Sequence, residues 1–133
     1  MSSQTEQAIA SAESYLVAME ARDLELAKTF LHDDTLALTF PGKPTFNRIE
    51  QIVSNSGGRY ARVCKTITRR SGWVEGDDIH VLISGTLYGA WPDGTKFEGI
   101  RFIDVFILRD GKIVQQDVWN DTGERLLAQR SAN

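Results

Sequence analysis

Three turn sequences divide the second half of the chain into four long runs rich in β-forming residues. The turns are Glu75-Gly76-Asp77-Asp78, Pro92-Asp93-Gly94 and Asp110-Gly111. Glycine and aspartate supply the backbone conformations that tight turns need. The sequence therefore predicts an antiparallel meander with strands over 65–75, 78–91, 95–109 and 112–120.

The second of these strands is too long to lie flat in a small domain. Its residues 78–91 would extend about 46 Å if straight, since each residue of a strand rises about 3.3 Å. Glycines within strands often mark bulges and bends. We therefore predict that the sheet curls at Gly85, Gly89 and Gly99, which gives it a concave face.

Helical periodicity is confined to the first third of the chain and to its end. Ser3 and Glu6 form a capping box before a helix that reaches about Ala21, and Asp23 can cap a second, shorter helix. A short strand is predicted over 35–40, a third helix from Asn47 to about Gly58, and a final short helix over 122–129. Helices followed by strands predict a single α+β domain over residues 1–133.

Composition limits the classes of partner. The 133 residues are 41% apolar and 25% charged with a formal net charge of -3, so we expect a soluble globular protein without nucleic acid. The single cysteine, Cys64, cannot form an intrachain disulfide or a cysteine-based metal cluster. We find no motif for a metal or a cofactor and no apolar stretch for a membrane, and we expect a cytoplasmic location.

Both faces of the third meander strand are mostly apolar. The even-numbered face carries Ile100, Phe102, Asp104 and Phe106, and the odd-numbered face carries Arg101, Ile103, Val105 and Ile107. Helices can cover only one face, so we expect the odd-numbered outer face to bind a second copy of the chain, with Trp119 in the interface. On the preceding strand we assign the even-numbered residues His80, Ser84, Thr86 and Tyr88 to the interior cavity.

Asp104 is the leading candidate for a functional residue, because it lies between two phenylalanines on the cavity face. A carboxylate there is costly unless it is protonated, paired or hydrogen-bonded, and a structural ion pair with an arginine is the alternative. Gln116 and Asn120 share the cavity parity and could orient a ligand or line a wet pocket. His80 is the candidate for a proton acceptor, although a hydrogen-bonded histidine near a turn is the more common case.

Residues 59–70 contain five cations and no acid, namely Arg59, Arg62, Lys65, Arg69 and Arg70. Such a run can recognise a carboxylate or phosphate. It can also be a solvated strand edge that charge protects from pairing with another strand. We favour the protected edge.

Several segments occur in an order and spacing typical of one superfamily. They are Tyr15-Leu16-Val17-Ala18-Met19, Arg22-Asp23-Leu24, Phe30-Leu31-His32-Asp33-Asp34 and Phe102-Ile103-Asp104-Val105-Phe106 leading into Asp110-Gly111-Lys112-Ile113. Over residues 5–129 the chain resembles the nuclear transport factor two-like superfamily, in particular its SnoaL-like and ketosteroid-isomerase-like members. The resemblance implies a cone-shaped, curled antiparallel sheet closed by three N-terminal helices, with a short C-terminal helix. It also implies a deep apolar cavity and a homodimer.

The resemblance also implies roles for individual residues. Tyr15 and Asp104 fall where ketosteroid isomerases keep the two donors of their oxyanion hole, of which the aspartate stays protonated at neutral pH. Their general base would fall at Thr39 or Phe40, neither of which can take a proton from carbon. Ser84, Thr86 and Val118 fall at the catalytic positions of limonene-epoxide-hydrolase-like proteins without matching them, and paired histidines of the scytalone-dehydratase kind are not evident.

These observations favour a cofactor-independent enzyme that enolises a small hydrophobic carbonyl compound, as an isomerase, cyclase or lyase. Tyr15 and Asp104 would stabilise the enolate oxygen, and Phe40, Phe102 and Val118 would contact the ligand. The alternative is a non-catalytic small-molecule-binding protein of the same fold, which the missing base supports. A protein-interaction module is the third possibility.

Overall fold

A six-stranded sheet dominates the computed structural model, which describes residues 3–33, 37–42 and 45–132. The strands are β1 (Ala37–Thr39), β2 (Thr45–Phe46), β3 (Arg62–Glu75), β4 (Asp78–Ala90), β5 (Lys96–Arg109) and β6 (Lys112–Asn120). The helices are α1 (Gln4–Glu20), α2 (Leu24–Lys28), α3 (Ile49–Gly57) and the short C-terminal α4 (Thr122–Ala132). The fold is thus α+β, and the four strands of the predicted meander are present nearly at the expected limits.

Local capping explains where the first helices begin. The Ser3 side chain accepts a hydrogen bond from the Glu6 backbone N–H at 3.0 Å, and Asp23 accepts one from the Leu26 N–H at 3.2 Å. The sequence predicts both of these caps. Among the described residues no helix combines the length and the apolar character needed to span a membrane.

The helix α3 begins one residue later than the sequence predicts. Its N-cap is Arg48 instead of Asn47, and no side chain caps it. The Glu50 carboxylate in the first turn lies 2.8 Å from the Lys28 ammonium. In the predicted strand over 35–40, residues 37–39 form β1, whereas residues 35 and 36 lie outside the described part of the chain.

The sheet is mixed, which corrects the expectation of an antiparallel one. Its order is β2-β1-β6-β5-β4-β3, and β1 runs parallel to β6 with Leu38 opposite Gln116. All other neighbouring strands are antiparallel. The long connection between β1 and β6 explains the difference, because only a short hairpin forces two strands to be antiparallel.

Three register shifts curl the sheet. They lie between Ile67 and Arg69 in β3, between Leu87 and Gly89 where β4 meets β5, and between Ile107 and Leu108 where β5 meets β6. At the second shift β5 holds the extra residue, and Gly99 there has a φ of +75° that favours glycine. Two of the three glycines predicted to bend the sheet, Gly89 and Gly99, thus lie at this shift.

Gly85, the third glycine predicted to bend the sheet, lies at the first shift, where β3 and β4 approach too closely for a side chain. A Cβ atom there would lie 1.9 Å from the Thr66 carbonyl oxygen, so Gly85→Ala forces the backbone to move. We expect this variant to lose at least about 2 kcal/mol of unfolding free energy. Gly57→Ala is the matched control, since nothing lies within 4 Å of its Cβ position. Urea denaturation showing equal stability for the two variants would contradict this account of the curl.

The core lies between the concave face of the sheet and the helices. Val81 and Ile83 from β4 and Phe102 and Phe106 from β5 are buried there against Tyr15 and neighbouring residues of α1. Contacts of α1 with β3, β4 and β6 hold this helix over the concave face. The helix therefore forms one wall of any space that the curled sheet leaves open.

Candidate functional site

A cavity of about 100 Å³ lies between α1, α3 and the concave face of the sheet. Much of its wall is apolar, from Leu16, Met19, Phe40, Ile52, Leu87 and Phe102. Polar groups enter at the inner end, where Tyr15, Asp104 and Gln116 line it. For comparison, a dry cavity of about 150 Å³ holds a benzene molecule, so this smaller cavity suits part of a ligand that carries a ring.

A chain of hydrogen bonds joins three buried side chains at the inner end of the cavity. The Tyr15 hydroxyl on α1 donates to Gln116 Oε1 at 3.1 Å, and Gln116 Nε2 on β6 donates to Asp104 Oδ2 on β5 at 3.1 Å. Tyr15 also contacts the ring of Phe106 edge to face, at 6.0 Å between centroids. Gln116 thus links the two residues that the sequence singled out, which do not hydrogen-bond to each other directly.

Asp104 is unusual among these three hydrogen-bonded residues, because it is a buried carboxyl group. It is 1% exposed, and its Oδ1 atom has no hydrogen-bond partner among the described residues. Burial raises the pKa of Asp104 to about 6, although the Lys65 charge and the hydrogen bond from Gln116 lower it. This value lies close to neutral pH, so the ionised form is available as an acceptor, whereas the resemblance implies a carboxyl that stays protonated and donates.

The Tyr15 hydroxyl, in contrast to the Asp104 carboxyl, remains protonated. Burial, and then the charge of Asp104, raise the pKa of the Tyr15 hydroxyl far above its ordinary value. The hydroxyl therefore stays neutral and can donate a hydrogen bond at any physiological pH. The cavity thus pairs a proton acceptor with a neutral donor.

Several residues assigned to the cavity from the sequence do line it. They are Tyr15, Phe40, Phe102, Asp104, Gln116, Val118 and Asn120. The β5–β6 register explains the last three, because Phe106 lies opposite Gln116, Asp104 opposite Val118 and Phe102 opposite Asn120. Even-numbered residues of the two strands therefore share the concave face.

The assignment of β4 was wrong: His80, Ser84, Thr86 and Tyr88 lie on the outer face of the sheet. Ile83 is opposite Asp104, so odd-numbered residues of β4 share the concave face with even-numbered residues of β5. The bulge at Gly99 is the physical reason. On its turn side Ala90 is opposite Lys96, so even faces even, and the one-residue shift exchanges the faces beyond it.

His80 is therefore removed from the candidate catalytic residues. Its Nε2 atom lies 3.0 Å from the Glu75 carboxylate, and its ring stacks on Trp73 at 5.4 Å between centroids. Both contacts are on the outer face, away from the cavity. The common alternative for this residue, a histidine with a local partner near a turn, is the one observed.

The cavity is also lined by three cationic residues that the sequence analysis did not assign to it. Arg22, Arg59 and Lys65 are present there, together with the carboxylate of Glu20. Lys65 lies opposite Leu87 and so faces the concave side, whereas Arg69 lies opposite Ser84 and faces outward. The cationic run over 59–70 was the available signal, but its interpretation as a protected edge fits only its outward-facing members.

Among the described residues no group of three or more His, Cys, Asp or Glu side chains is placed to hold a metal ion. What the arrangement can do chemically rests on Asp104 and Tyr15, with Gln116 between them. A carboxylate of pKa about 6 can accept and return a proton near neutral pH. A neutral hydroxyl beside it can stabilise an oxyanion.

No protein-family model and no curated protein sequence matches the chain significantly. Several solved structures do match the chain. TerC co-crystallised with polyporic acid is 19% identical with a TM-score of 0.74, over 89% of this chain and 94% of TerC. A protein assigned as a SnoaL-like polyketide cyclase from Jannaschia sp. CCS1 is 19% identical with a TM-score of 0.74, over 99% of this chain and 94% of its own.

A third structure is a nuclear transport factor two-like protein of unknown function from Burkholderia pseudomallei. It is 16% identical with a TM-score of 0.73, over 90% of this chain and 95% of its own. The chain therefore has the nuclear transport factor two-like fold in the form shared by SnoaL-like proteins. Identities this low establish the fold and leave the activity to be argued from the site.

Proposed function

We propose that this protein enolises a small hydrophobic carbonyl compound in its cavity without a cofactor. The observation that carries the proposal is the buried Asp104 carboxyl, which has one unpartnered oxygen and a pKa of about 6 beside the neutral Tyr15 hydroxyl. Isomerisation, cyclisation and elimination differ in the fate of the enolate. The likeness to a SnoaL-like polyketide cyclase supports the cyclase class among the three.

Asp104 takes the role of proton acceptor in this mechanism. Its carboxylate removes a proton from the carbon next to the substrate carbonyl, and the C–H electron pair forms the enolate. The Tyr15 hydroxyl donates a hydrogen bond to the enolate oxygen and keeps its proton, which requires it to leave Gln116 Oε1. The protonated Asp104 then returns its proton to carbon, so the carboxylate is regenerated. This assignment fills the position of the base, for which the sequence offered only His80.

Exchange of hydrogen for deuterium tests this step without knowledge of the natural substrate. The wild-type protein is mixed with 2-indanone, a small neutral ketone, in D₂O at neutral pH, and proton NMR follows the loss of the α-hydrogens. We expect exchange well above the rate in buffer, abolished by a tight-binding phenol that occupies the cavity. Exchange at the buffer rate despite binding of 2-indanone would reject the catalytic proposal.

Tyr15→Phe tests the donor. We expect the exchange rate to fall roughly 5- to 150-fold, since the enolate oxygen loses one hydrogen bond. This corresponds to a rise of about 1–3 kcal/mol in activation free energy. Tyr60→Phe is the matched control, because Tyr60 also lines the cavity but its hydroxyl pairs with Thr122 Oγ1 at 2.7 Å. Equal losses in the two variants would show that the Tyr15 hydroxyl has no special role.

A non-catalytic binding protein is the second candidate, and one observation favours it. Gln116 already engages both the Tyr15 hydroxyl and one oxygen of Asp104. Such a closed chain can be a structural network that keeps polar groups satisfied beneath an apolar pocket. In that case small apolar molecules bind in the cavity while their α-hydrogens exchange no faster than in buffer.

A further inference from the structure

We infer that the ligand of this cavity carries a carboxylate, held by Arg59 and Lys65, while its apolar part lies against Phe40, Leu87 and Phe102. The inference deepens the proposed function, because it rests on the premise that the cavity binds a small apolar molecule. It assigns a chemical class to that molecule, a carbonyl compound that is also an organic acid. It also separates Arg59 and Lys65 from the outward-facing members of the cationic run over 59–70, to which the interpretation as a protected edge applies.

Lys65 points its charge into the cavity. The residue lies on the concave face opposite Leu87, and its ammonium nitrogen is 5.7 Å from the centre of the Phe102 ring. Within the described part of the chain this ammonium forms no hydrogen bond or ion pair, although its field reaches Asp104 and lowers that pKa. The Glu20 carboxylate accepts the Lys65 backbone N–H at 2.6 Å and forms no ion pair with the Lys65 ammonium.

Arg59 supplies a second half-buried cation at the same cavity. Its backbone N–H donates to the Ser56 carbonyl at 2.9 Å, which fixes the residue just after α3. The guanidinium makes no hydrogen bond to any described residue, whereas Arg22 in the same wall donates to the Met19 carbonyl at 2.8 Å. Arg70, further along the run, is paired with Glu13. Arg22 also donates to Ser56 Oγ at 3.4 Å, so Arg59 and Lys65 are the two cavity cations whose charged groups donate to no described residue.

The charge and the volume of the cavity together favour a small ligand that carries a carboxylate. A neutral apolar ligand would cover two cations and remove water from them without replacing its hydrogen bonds, which is costly. A carboxylate accepts from the planar fork of arginine and from an ammonium. The cavity of about 100 Å³ holds only part of a ligand that carries a ring. Arg59 and Lys65 line the same cavity, where a carboxylate on that ligand can reach them.

Isothermal titration calorimetry with a matched pair of probes tests this inference. The probes are 3-phenylpropanoate and its neutral counterpart 3-phenylpropanamide, at pH 8, which lies above the pKa of about 6 of Asp104 in the wild-type protein. We expect the wild-type protein to bind the carboxylate at least about tenfold more tightly. Arg59→Gln and Lys65→Gln should each reduce this preference to less than about threefold. The control Arg69→Gln, from the same run but on the outer face, should leave both affinities unchanged.

Equal affinities of the two probes for the wild-type protein would overturn the inference. So would a preference that survives in the double variant, or failure of both probes to bind. Should Lys65→Gln not fold, Arg59→Gln and the wild-type protein in 0.5 M salt suffice, since salt weakens a charge-based preference. Hydrogen–deuterium exchange of neutral 2-indanone by the wild-type protein is measured separately. Exchange without a carboxylate preference rejects this inference alone, and a preference without exchange rejects only catalysis.

Discussion

Asp104→Asn is expected to lower the rate of α-hydrogen exchange about 1000-fold, because it removes the proposed base. General bases contribute roughly 100- to 10,000-fold to proton transfer, and an amide cannot take a proton from carbon. The substitution keeps the size of the side chain. The asparagine carbonyl can still accept the hydrogen bond that Gln116 Nε2 now donates to Asp104 Oδ2. The loss should therefore be specific to the chemical step.

The pH dependence of the wild-type rate gives a second readout of the same residue. Since the pKa of Asp104 is raised to about 6, the rate should rise as pH increases through 6 and level off above about pH 7. Tyr15, which faces the same space, stays neutral across this range because its pKa is raised further. A flat profile of the wild-type rate between pH 5 and 8 would contradict the role of Asp104.

Stability distinguishes loss of chemistry from loss of fold. The folded-state pKa of Asp104 is above its unfolded value of about 3.8, so folding favours the protonated form. The contribution of Asp104 to stability therefore falls as pH rises from about 4 to about 6, by about 3 kcal/mol for a shift of this size. Asp104→Asn does not ionise and should be the more stable protein at pH 7. Reduced activity with a raised Tm would confirm that the variant folds.

A charge placed on the outer face of β5 is expected to give monomers or insoluble protein, because we propose that this face forms a homodimer. Ile103 is 42% exposed and Trp119, its neighbour on β6, is 57% exposed, which is unusual for large apolar residues on a sheet. Ile103→Asp would bury an unpaired carboxylate in the interface, which costs several kcal/mol. Light scattering of the purified variant measures the outcome.

Leu127→Asp is the control for this substitution. Leu127 is also large, apolar and exposed, but it lies on α4 and not on the sheet. It should leave the dimer intact. A dimer that tolerates Ile103→Asp would move the interface elsewhere, and a monomeric wild-type protein would leave the apolar outer face without a partner.

The sequence was informative where a residue's neighbours along the chain decide its structure. The turns at Gly76, Gly94 and Gly111 define the meander, and all three glycines have the positive φ that such turns favour. Asp104 could be identified because its nearest even-numbered neighbours are phenylalanines, which places a carboxyl group on an apolar face. These features depend on local chemistry alone.

The rest of the site depends on register, which local chemistry does not determine. Gly99 is predicted as a bend, yet the faces of β4 were assigned as though parity continued through it. One extra residue in β5 moves His80 and Ser84 to the outside and Ile83 to the inside. The position of Gln116 between Tyr15 and Asp104 depends on where α1 docks, and a linear sequence contains no signal for that contact.

The hydrogen bond between Tyr15 and Gln116 has a consequence for the order of folding. The two residues are 101 positions apart, whereas β3 to β6 are joined by short connections and can pair with their neighbours in succession. Closing a long loop costs entropy before its contacts contribute, so local hairpins form more readily. We therefore expect the arrangement of Tyr15, Gln116 and Asp104 to form late, when α1 docks onto the sheet. Partial unfolding that releases α1 would remove Tyr15 from Gln116 and Asp104 while leaving most of the strand pairing in place.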